Sequence, residues 1–154
     1  MNTVAVPLNT TCPTDIVFVV DESGSIDSSE YALMKSFLSR LVGRLDINSC
    51  QTRVGLVTFG SAVGTVFNFT DYTSVSSLQT AILSLSKRGG NTMTHSALEY
   101  VRTTLLTPEA GDRVDVCNIV VVLTDGGSDD DAATQVSVTL YYTVFFQFYV
   151  DIFI

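Results

Sequence analysis

Short apolar runs that stop at acidic loops constrain the fold of this chain most strongly. Residues 16–20 (IVFVV) are apolar throughout, too short for a helix and rich in β-branched side chains, and the run ends at Asp21. A second run, residues 118–123 (NIVVVL), ends in the same way at Thr124 and Asp125. Continuous apolar runs of this length predict strands that are buried on both faces, as in a parallel sheet.

The segments between these runs predict helices and further strands. Apolar side chains recur at intervals of three and four over residues 31–45, 75–85 and 94–106, which is typical of helices with one buried face. Residues 52–60 and 63–69 predict two more strands. Their connection is so short that they should pair antiparallel, with the second strand at one edge. Strands alternating with helices predict an α/β fold with a mostly parallel sheet.

Composition limits the classes of function. The chain has 154 residues, enough for one domain with a core, and 46% of them are hydrophobic. With 16 acidic and 8 basic residues the formal net charge is −8, and no basic stripe occurs. This charge argues against nucleic acids and anionic membranes and is compatible with cations or basic partners. No catalytic triad, nucleophile elbow or phosphate loop is present, so we expect no enzymatic activity.

Oxygen-bearing side chains on alternate residues follow the first apolar run. Asp21, Ser23 and Ser25 would point the same way in an extended or looping backbone, and Gly24 allows the loop to bend between them. Converging oxygens without Cys or His suit a hard divalent cation, Mg²⁺, Mn²⁺ or Ca²⁺, rather than zinc. Taken alone, this stretch is equally typical of a polar turn that caps the next helix.

Two other loops carry oxygens that belong to the same edge of the predicted sheet. Asp125 follows the second apolar run, and Thr92 lies in a glycine-rich loop that opens a helix. If the two strands are neighbours, the carboxylates of Asp21 and Asp125 meet at one edge. Two carboxylates and three hydroxyls form an incomplete octahedron around Mg²⁺, which leaves a position for water or an incoming ligand. Residues 129–131, all aspartates, are expected to cap the next helix.

In these three segments the chain resembles the von Willebrand factor A (VWA) family. The family's metal-ion-dependent adhesion site (MIDAS) combines D-x-S-x-S, a threonine in G-G-x-T-x-T-x-x-A-L and an aspartate in L-T-D-G. All three occur here in order, at residues 21–25 (DESGS), 89–98 (GGNTMTHSAL) and 123–126 (LTDG). The resemblance covers residues 15–140 and is strongest to the extracellular matrix branch, which includes collagen-VI-like, matrilin-like and shell-matrix proteins.

The resemblance implies a Rossmann-like, doubly wound α/β fold with one antiparallel edge strand and helices on both faces. It also implies a divalent cation, first of all Mg²⁺, with Mn²⁺ or Ca²⁺ as alternatives, held by Asp21, Ser23, Ser25, Thr92 and Asp125. In the family, a partner protein supplies an Asp or Glu carboxylate to the cation. The expectation is therefore a secreted adhesion or matrix module whose partner is collagen or another matrix protein, without membrane insertion. The alternative is a structural matrix-assembly module whose metal site is vestigial or only stabilising.

Both ends of the chain fall outside the family pattern. Residues 1–14 are expected to be an extended lead-in without a secretory signal, so that the chain would belong to a longer secreted protein. Residues 141–154 (YYTVFFQFYVDIFI) lack the strands and closing helix with which family members continue. This tail is interpreted either as a final strand or as sequence that is not native to the domain. The second is favoured, which predicts a C-terminally truncated copy.

The fold implied by the family places three cysteines at the edge opposite the metal site. Cys12, Cys50 and Cys117 each precede a parallel strand. In an oxidising compartment one disulfide is expected among them, and Cys50 with Cys117 is the favoured pair. The alternative is three free thiols. The triplets that begin at Asn9 and Asn68 are candidate N-glycosylation sites.

Overall fold

A five-stranded, mostly parallel sheet forms the centre of the structure. The computed structural model describes residues 13–130 and, for the backbone alone, residues 143–147. The central strand β1 pairs in parallel with β2 and β4, β4 pairs in parallel with β5, and β2 pairs antiparallel with the edge strand β3. The strands are β1 (Thr14–Asp21), β2 (Thr52–Phe59), β3 (Val63–Phe67), β4 (Cys117–Thr124) and β5 (Thr143–Gln147).

Within the described residues, three α-helices lie between the strands, namely α1 (Ser28–Val42), α2 (Val75–Leu83) and α3 (Thr94–Tyr100). Helix α1 begins with a capping box: the Asp27 carboxylate accepts from the Ser29 and Glu30 amides, and the Glu30 carboxylate accepts from the Asp27 amide. The hydrogen bond from the Ser29 hydroxyl holds the pKa of the exposed Asp27 carboxyl below its usual value. The first helix therefore starts where the β1 loop ends.

The side chains of β1 alternate between two cores, one on each face of the sheet. Phe18 and Val20 pack among residues of α1 and α2, whereas Val17 and Val19 pack among residues of α3. All four are at most 1% exposed. A strand buried on both faces explains why its sequence is continuously apolar rather than alternating. The predicted fold class, with helices on both faces and an antiparallel edge strand, is confirmed.

One helix differs from the prediction. The apolar spacing predicts a single helix over residues 94–106, but α3 ends at Tyr100 and the chain continues as a π-helical turn, Val101–Leu105. The Leu106 amide donates to the Val101 carbonyl at 2.8 Å. Val101 and Leu105 are both buried against the sheet, so the wider turn preserves the apolar contact that the spacing indicates. A short 3₁₀ helix, Pro108–Ala110, leads towards β4.

The apolar tail contributes a strand. The backbone of Thr143–Gln147 pairs in parallel with β4, which corresponds to the first of the two interpretations for this segment. Residues 141–142 and 148–154 lie outside the described part of the chain, as do residues 1–12 with Cys12 and Asn9. That the tail is not native to the domain stays a prediction, as do the boundaries of the lead-in and the tail.

The disulfide predicted between Cys50 and Cys117 is not formed. Both cysteines are free and exposed. Strand β1 lies between β2 and β4, and Thr14 is opposite both Thr52 and Cys117. Two strand spacings amount to about 10 Å, whereas the Cα atoms of a disulfide are about 4.4–6.8 Å apart. The order of the strands therefore keeps the start of β4 too far from the turn that contains Cys50.

An ion pair joins three segments of the chain at this edge of the sheet. Arg113 donates to the fully buried Asp15 carboxylate, with Nη2 to Oδ1 at 2.6 Å and Nε to Oδ1 at 3.0 Å. The same guanidinium donates to the carbonyls of Thr14, Cys50 and Gln51. One side chain thus joins β1, the turn before β2 and the loop before β4.

Candidate metal centre

The loop after β1 gathers three of the predicted ligands. Asp21 is the last residue of β1 and is completely buried. Its Oδ1 accepts from the Ser23 amide and its Oδ2 accepts from the Thr124 hydroxyl, both at 2.8 Å. The hydroxyl oxygens of Ser23 and Ser25 lie 3.1 Å apart and share a hydrogen bond. Asp21, Ser23 and Ser25 therefore converge as the alternating pattern predicts, with Ser23 buried and Ser25 exposed.

The end of β4 brings the second carboxylate to the same place. Since β1 and β4 are neighbours and Val20 lies opposite Leu123, the residues that follow them, Asp21 and Thr124, are side by side. Asp125 comes next and is half-buried. The proximity of the Asp125 carboxylate adds to the rise in the pKa of Asp21, so the two carboxyls interact.

The electrostatics of Asp21 favour a nearby cation. Burial raises the pKa of the Asp21 carboxyl, Asp125 raises it further, and hydrogen bonds from Ser23 and Thr124 partly oppose the rise. The ion pairs in the described part of the chain involve other carboxylates, those of Asp15, Glu22 and Glu99. Asp21 is thus a buried carboxylate whose negative charge has a second carboxylate beside it and no cationic side chain paired with it. A positive charge held there would compensate both carboxylates.

The glycine-rich loop that carries Thr92 is tied to both other loops through its backbone. The Gly24 amide donates to the Gly90 carbonyl at 2.8 Å. The Thr92 amide donates to the Asp129 carboxylate at 2.6 Å, and the Asp129 amide donates to the Thr92 carbonyl at 3.0 Å. Within the described residues, no hydrogen bond joins the Thr92 hydroxyl to the other four predicted ligands. The structure therefore brings the Thr92 loop to the site without a side-chain contact to those ligands.

Asp129 and Arg88 take part in this arrangement although no motif contains them, and Thr124 takes part although its motif assigns a role only to Asp125. Asp129 holds the Thr92 backbone, where the sequence pattern suggests only a cap for the next predicted helix, whose residues lie outside the described part of the chain. Thr124 fixes the Asp21 carboxylate, and Arg88 forms an ion pair with Glu22, the residue between Asp21 and Ser23. A polar residue beside a motif position is the only sequence signal for these roles.

The donor set fits a hard cation. In residues 13–130 no three His, Cys, Asp or Glu side chains cluster in a way that could hold a metal ion. A cation at this edge would therefore depend on hydroxyl oxygens in addition to the carboxylates of Asp21 and Asp125. Hydroxyl and carboxylate oxygens are ligands that Mg²⁺, Mn²⁺ and Ca²⁺ accept. The buried, unpaired Asp21 is the observation that such a cation would explain.

The sequence matches the family model for the von Willebrand factor type A domain over residues 15–146. The chain belongs to the VWA family. It is 38% identical to matrilin-1 of Mus musculus over 123 residues, which cover 78% of this chain and 25% of the relative. It is 39% identical to the collagen alpha-4(VI) chain of Mus musculus over 121 residues, or 77% of this chain and 5% of the relative.

A third relative, the collagen alpha-1(XX) chain of Homo sapiens, is 33% identical over 126 residues, or 82% of this chain and 10% of the relative. This VWA domain thus spans a quarter or less of the length of these three relatives. The matched relatives confirm the resemblance to matrix proteins.

Solved structures share the fold. Proximal thread matrix protein 1 from the mussel byssus superimposes with a TM-score of 0.78 at 25% sequence identity, over 88% of this chain and 37% of that chain. A second structure of the mussel protein, with a zinc-occupied MIDAS motif, gives the same TM-score at 24% identity. None of the helices among the described residues of the VWA domain has the length and hydropathy that a bilayer-spanning segment requires.

Proposed function

We propose that this VWA domain is a protein-binding module of the extracellular matrix that depends on a divalent cation. The cation would be held by Asp21, Ser23, Ser25, Thr92 and Asp125, and a partner protein would supply an Asp or Glu carboxylate to it. The observation that carries the proposal is the buried Asp21 carboxylate, which has Asp125 nearby and no ion pair of its own.

The residues of the chain favour an open site. Only two of the five proposed ligands are charged, so they neutralise a divalent cation without adding excess negative charge. When bound, the cation supplies positive charge that a carboxylate from outside can approach. The amide of Ser23 and the hydroxyl of Thr124 fix both oxygens of Asp21, so that its carboxylate is oriented before a cation arrives. Ser25 is exposed, so this part of the proposed site is accessible to a partner.

The relatives support the matrix setting. Matrilin-1 and two collagen chains are matrix proteins by name, and a protein of the same fold has been solved with zinc in its MIDAS motif. The zinc shows that this fold can hold a divalent cation. We propose Mg²⁺ here, because hard oxygen donors make up the whole site. Secretion and glycosylation at Asn68, which is half-buried and precedes an exposed Thr70, belong to the same proposal.

Binding to fibrillar collagen tests this function. We expect the VWA domain to bind immobilised collagen in Mg²⁺ and to dissociate when EDTA is added, as measured by surface plasmon resonance. Asp21→Ala should lower the affinity for collagen by at least about tenfold, because one of the residues that hold the cation is lost. Glu99→Ala is the matched control: it also removes one carboxylate, but one that is exposed on α3, paired with Arg102 and outside the three loops that carry the proposed ligands.

The outcome separates the two candidate roles. Binding that is equally strong in EDTA and in Asp21→Ala would contradict the proposal and favour a module that assembles through other surfaces. Binding that is lost in Asp21→Ala and kept in Glu99→Ala supports a partner contact through the cation.

A further inference from the structure

The loop that carries Thr92 starts at a side chain that is anchored beside the metal centre. Arg88 donates from Nε to Oε1 of Glu22 at 2.8 Å. The Glu22 side chain is 1% exposed, whereas the Arg88 side chain is 54% exposed. The second oxygen of Glu22, Oε2, is buried and has no hydrogen-bond partner among the described residues. Glu22 is therefore a buried carboxylate whose ion-pair partner is a single arginine at the surface.

Three residues separate this anchor from Thr92, and the first two of them are glycines. Gly89 and Gly90 have φ values of +77° and +99°, which place both in the left-handed region. Hydrogen bonds from two backbone amides then hold the loop. The Gly89 amide donates to the Glu22 carbonyl at 2.9 Å, and the Asn91 amide donates to the Ser61 hydroxyl at 2.8 Å. The last side chain that can fix the path of the loop before these glycines is that of Arg88.

The surroundings give the loop room to move if the anchor is lost. A cavity of about 190 Å³ adjoins Glu22, Arg88 and Gly89 and extends to the turn between β2 and β3. Gly64 in β3 closes over the ion pair. A Cβ added at Gly64 would lie 1.9 Å from Arg88 Nη2 and 2.7 Å from Glu22 Oε1. The ion pair thus occupies a space that only glycine leaves open.

We propose that Glu22 and Arg88 are positioning residues for the metal centre: their ion pair holds the loop so that Thr92 can reach the cation. The proposal rests on the proposed function, since it concerns the affinity for that cation. According to this proposal, Arg88 raises the affinity for the cation, whereas its positive charge alone would lower that affinity. A positive side chain next to a cation site weakens cation binding by repulsion, whereas a side chain that positions a ligand strengthens it.

The sign of the change in Arg88→Met decides between these effects. Mn²⁺ is titrated into wild type and variant. If Arg88 positions the loop, its loss raises the dissociation constant roughly tenfold, within the range found for residues that orient metal ligands. If Arg88 acts only through its charge, its loss lowers the dissociation constant. Gly64→Ala keeps every charge, and its added Cβ would displace the end of the Arg88 side chain together with the Glu22 carboxylate and the Thr58 hydroxyl, so it should weaken Mn²⁺ binding as well.

A second readout needs no metal. In EDTA, hydrogen exchange of the Asn91 and Thr92 amides should be faster in Arg88→Met than in wild type, because the loop has lost an anchor. Ser74→Ala, which removes the N-cap of α2, is the control for general destabilisation and should leave these amides and the Mn²⁺ affinity unchanged.

Each failure has its own meaning. Unchanged or tighter Mn²⁺ binding by Arg88→Met, with unchanged exchange at Asn91 and Thr92, overturns the positioning role while the metal centre stands. Absence of Mn²⁺ binding by the wild type instead overturns the proposed function on which the inference rests.

Discussion

Replacing Arg113 by leucine is expected to lower the free energy of unfolding by about 3–5 kcal/mol, the usual cost of leaving one member of a buried ion pair without its partner. Asp15 would keep a fully buried charge, and the carbonyls of Thr14, Cys50 and Gln51 would lose a shared donor. Urea denaturation of wild type and variant, followed by circular dichroism, measures the difference.

Three further variants define the origin of this loss. Arg113→Lys keeps the charge but not the planar fork that reaches both the carboxylate and the carbonyls, so it should recover only part of the stability. The double variant Asp15→Leu with Arg113→Leu should be more stable than Arg113→Leu alone, because no buried charge remains. Arg102→Ala breaks an exposed, solvent-screened pair and should cost far less than Arg113→Leu. An Arg113→Leu variant as stable as Arg102→Ala would contradict the structural role of this pair.

Magnesium is expected to raise the free energy of unfolding of the domain, by somewhat less than Arg113→Leu lowers it. At about one hundred times its dissociation constant, a cation that binds only the folded state raises the free energy of unfolding by about 2.7 kcal/mol. Thermal unfolding in EDTA and in increasing Mg²⁺ measures this shift.

Asp125→Asn makes the same experiment more specific. The variant removes a charge that repels Asp21, so it should be slightly more stable than wild type in EDTA. It should also gain less from Mg²⁺, because one of the two charged ligands is gone. Compared with wild type, the variant should therefore be more stable in EDTA and less stable in saturating Mg²⁺. This change of sign indicates a metal ligand, because a plain structural defect would lower stability in both conditions. An equal response to Mg²⁺ in wild type and Asp125→Asn would contradict the assignment of Asp125.

The elements of the fold could be predicted from the sequence because their causes are local. Residues 16–20 and 118–123 are apolar on both faces of a strand, and the three-residue link before Val63 fixes an antiparallel pair. The π-helical turn at Val101–Leu105 could not be predicted, because the same apolar spacing is compatible with a regular helix. The widened turn depends on how Val101 and Leu105 pack against the sheet, which is a property of the assembled core.

The candidate ligands could also be found from local motifs, whereas the residues that hold the loops could not. Arg88 and Glu22 are 66 positions apart, and Arg113 and Asp15 are 98 positions apart. Neither pair has a spacing that signals contact, because the contact arises from the order of the strands. The same order explains why the disulfide prediction was wrong for Cys50 and Cys117: β1 lies between the strands that the two cysteines precede or begin.

Counting bound Mn²⁺ is the direct test of the proposed metal centre. The electron paramagnetic resonance signal of free Mn²⁺ disappears as the ion binds, so a titration gives both stoichiometry and affinity. We expect one saturable site per chain in the wild type, displaced by excess Mg²⁺ and absent in Asp21→Ala. A folded wild-type domain that binds no Mn²⁺, or an Asp21→Ala variant that binds it as well as wild type does, would contradict a metal centre at Asp21.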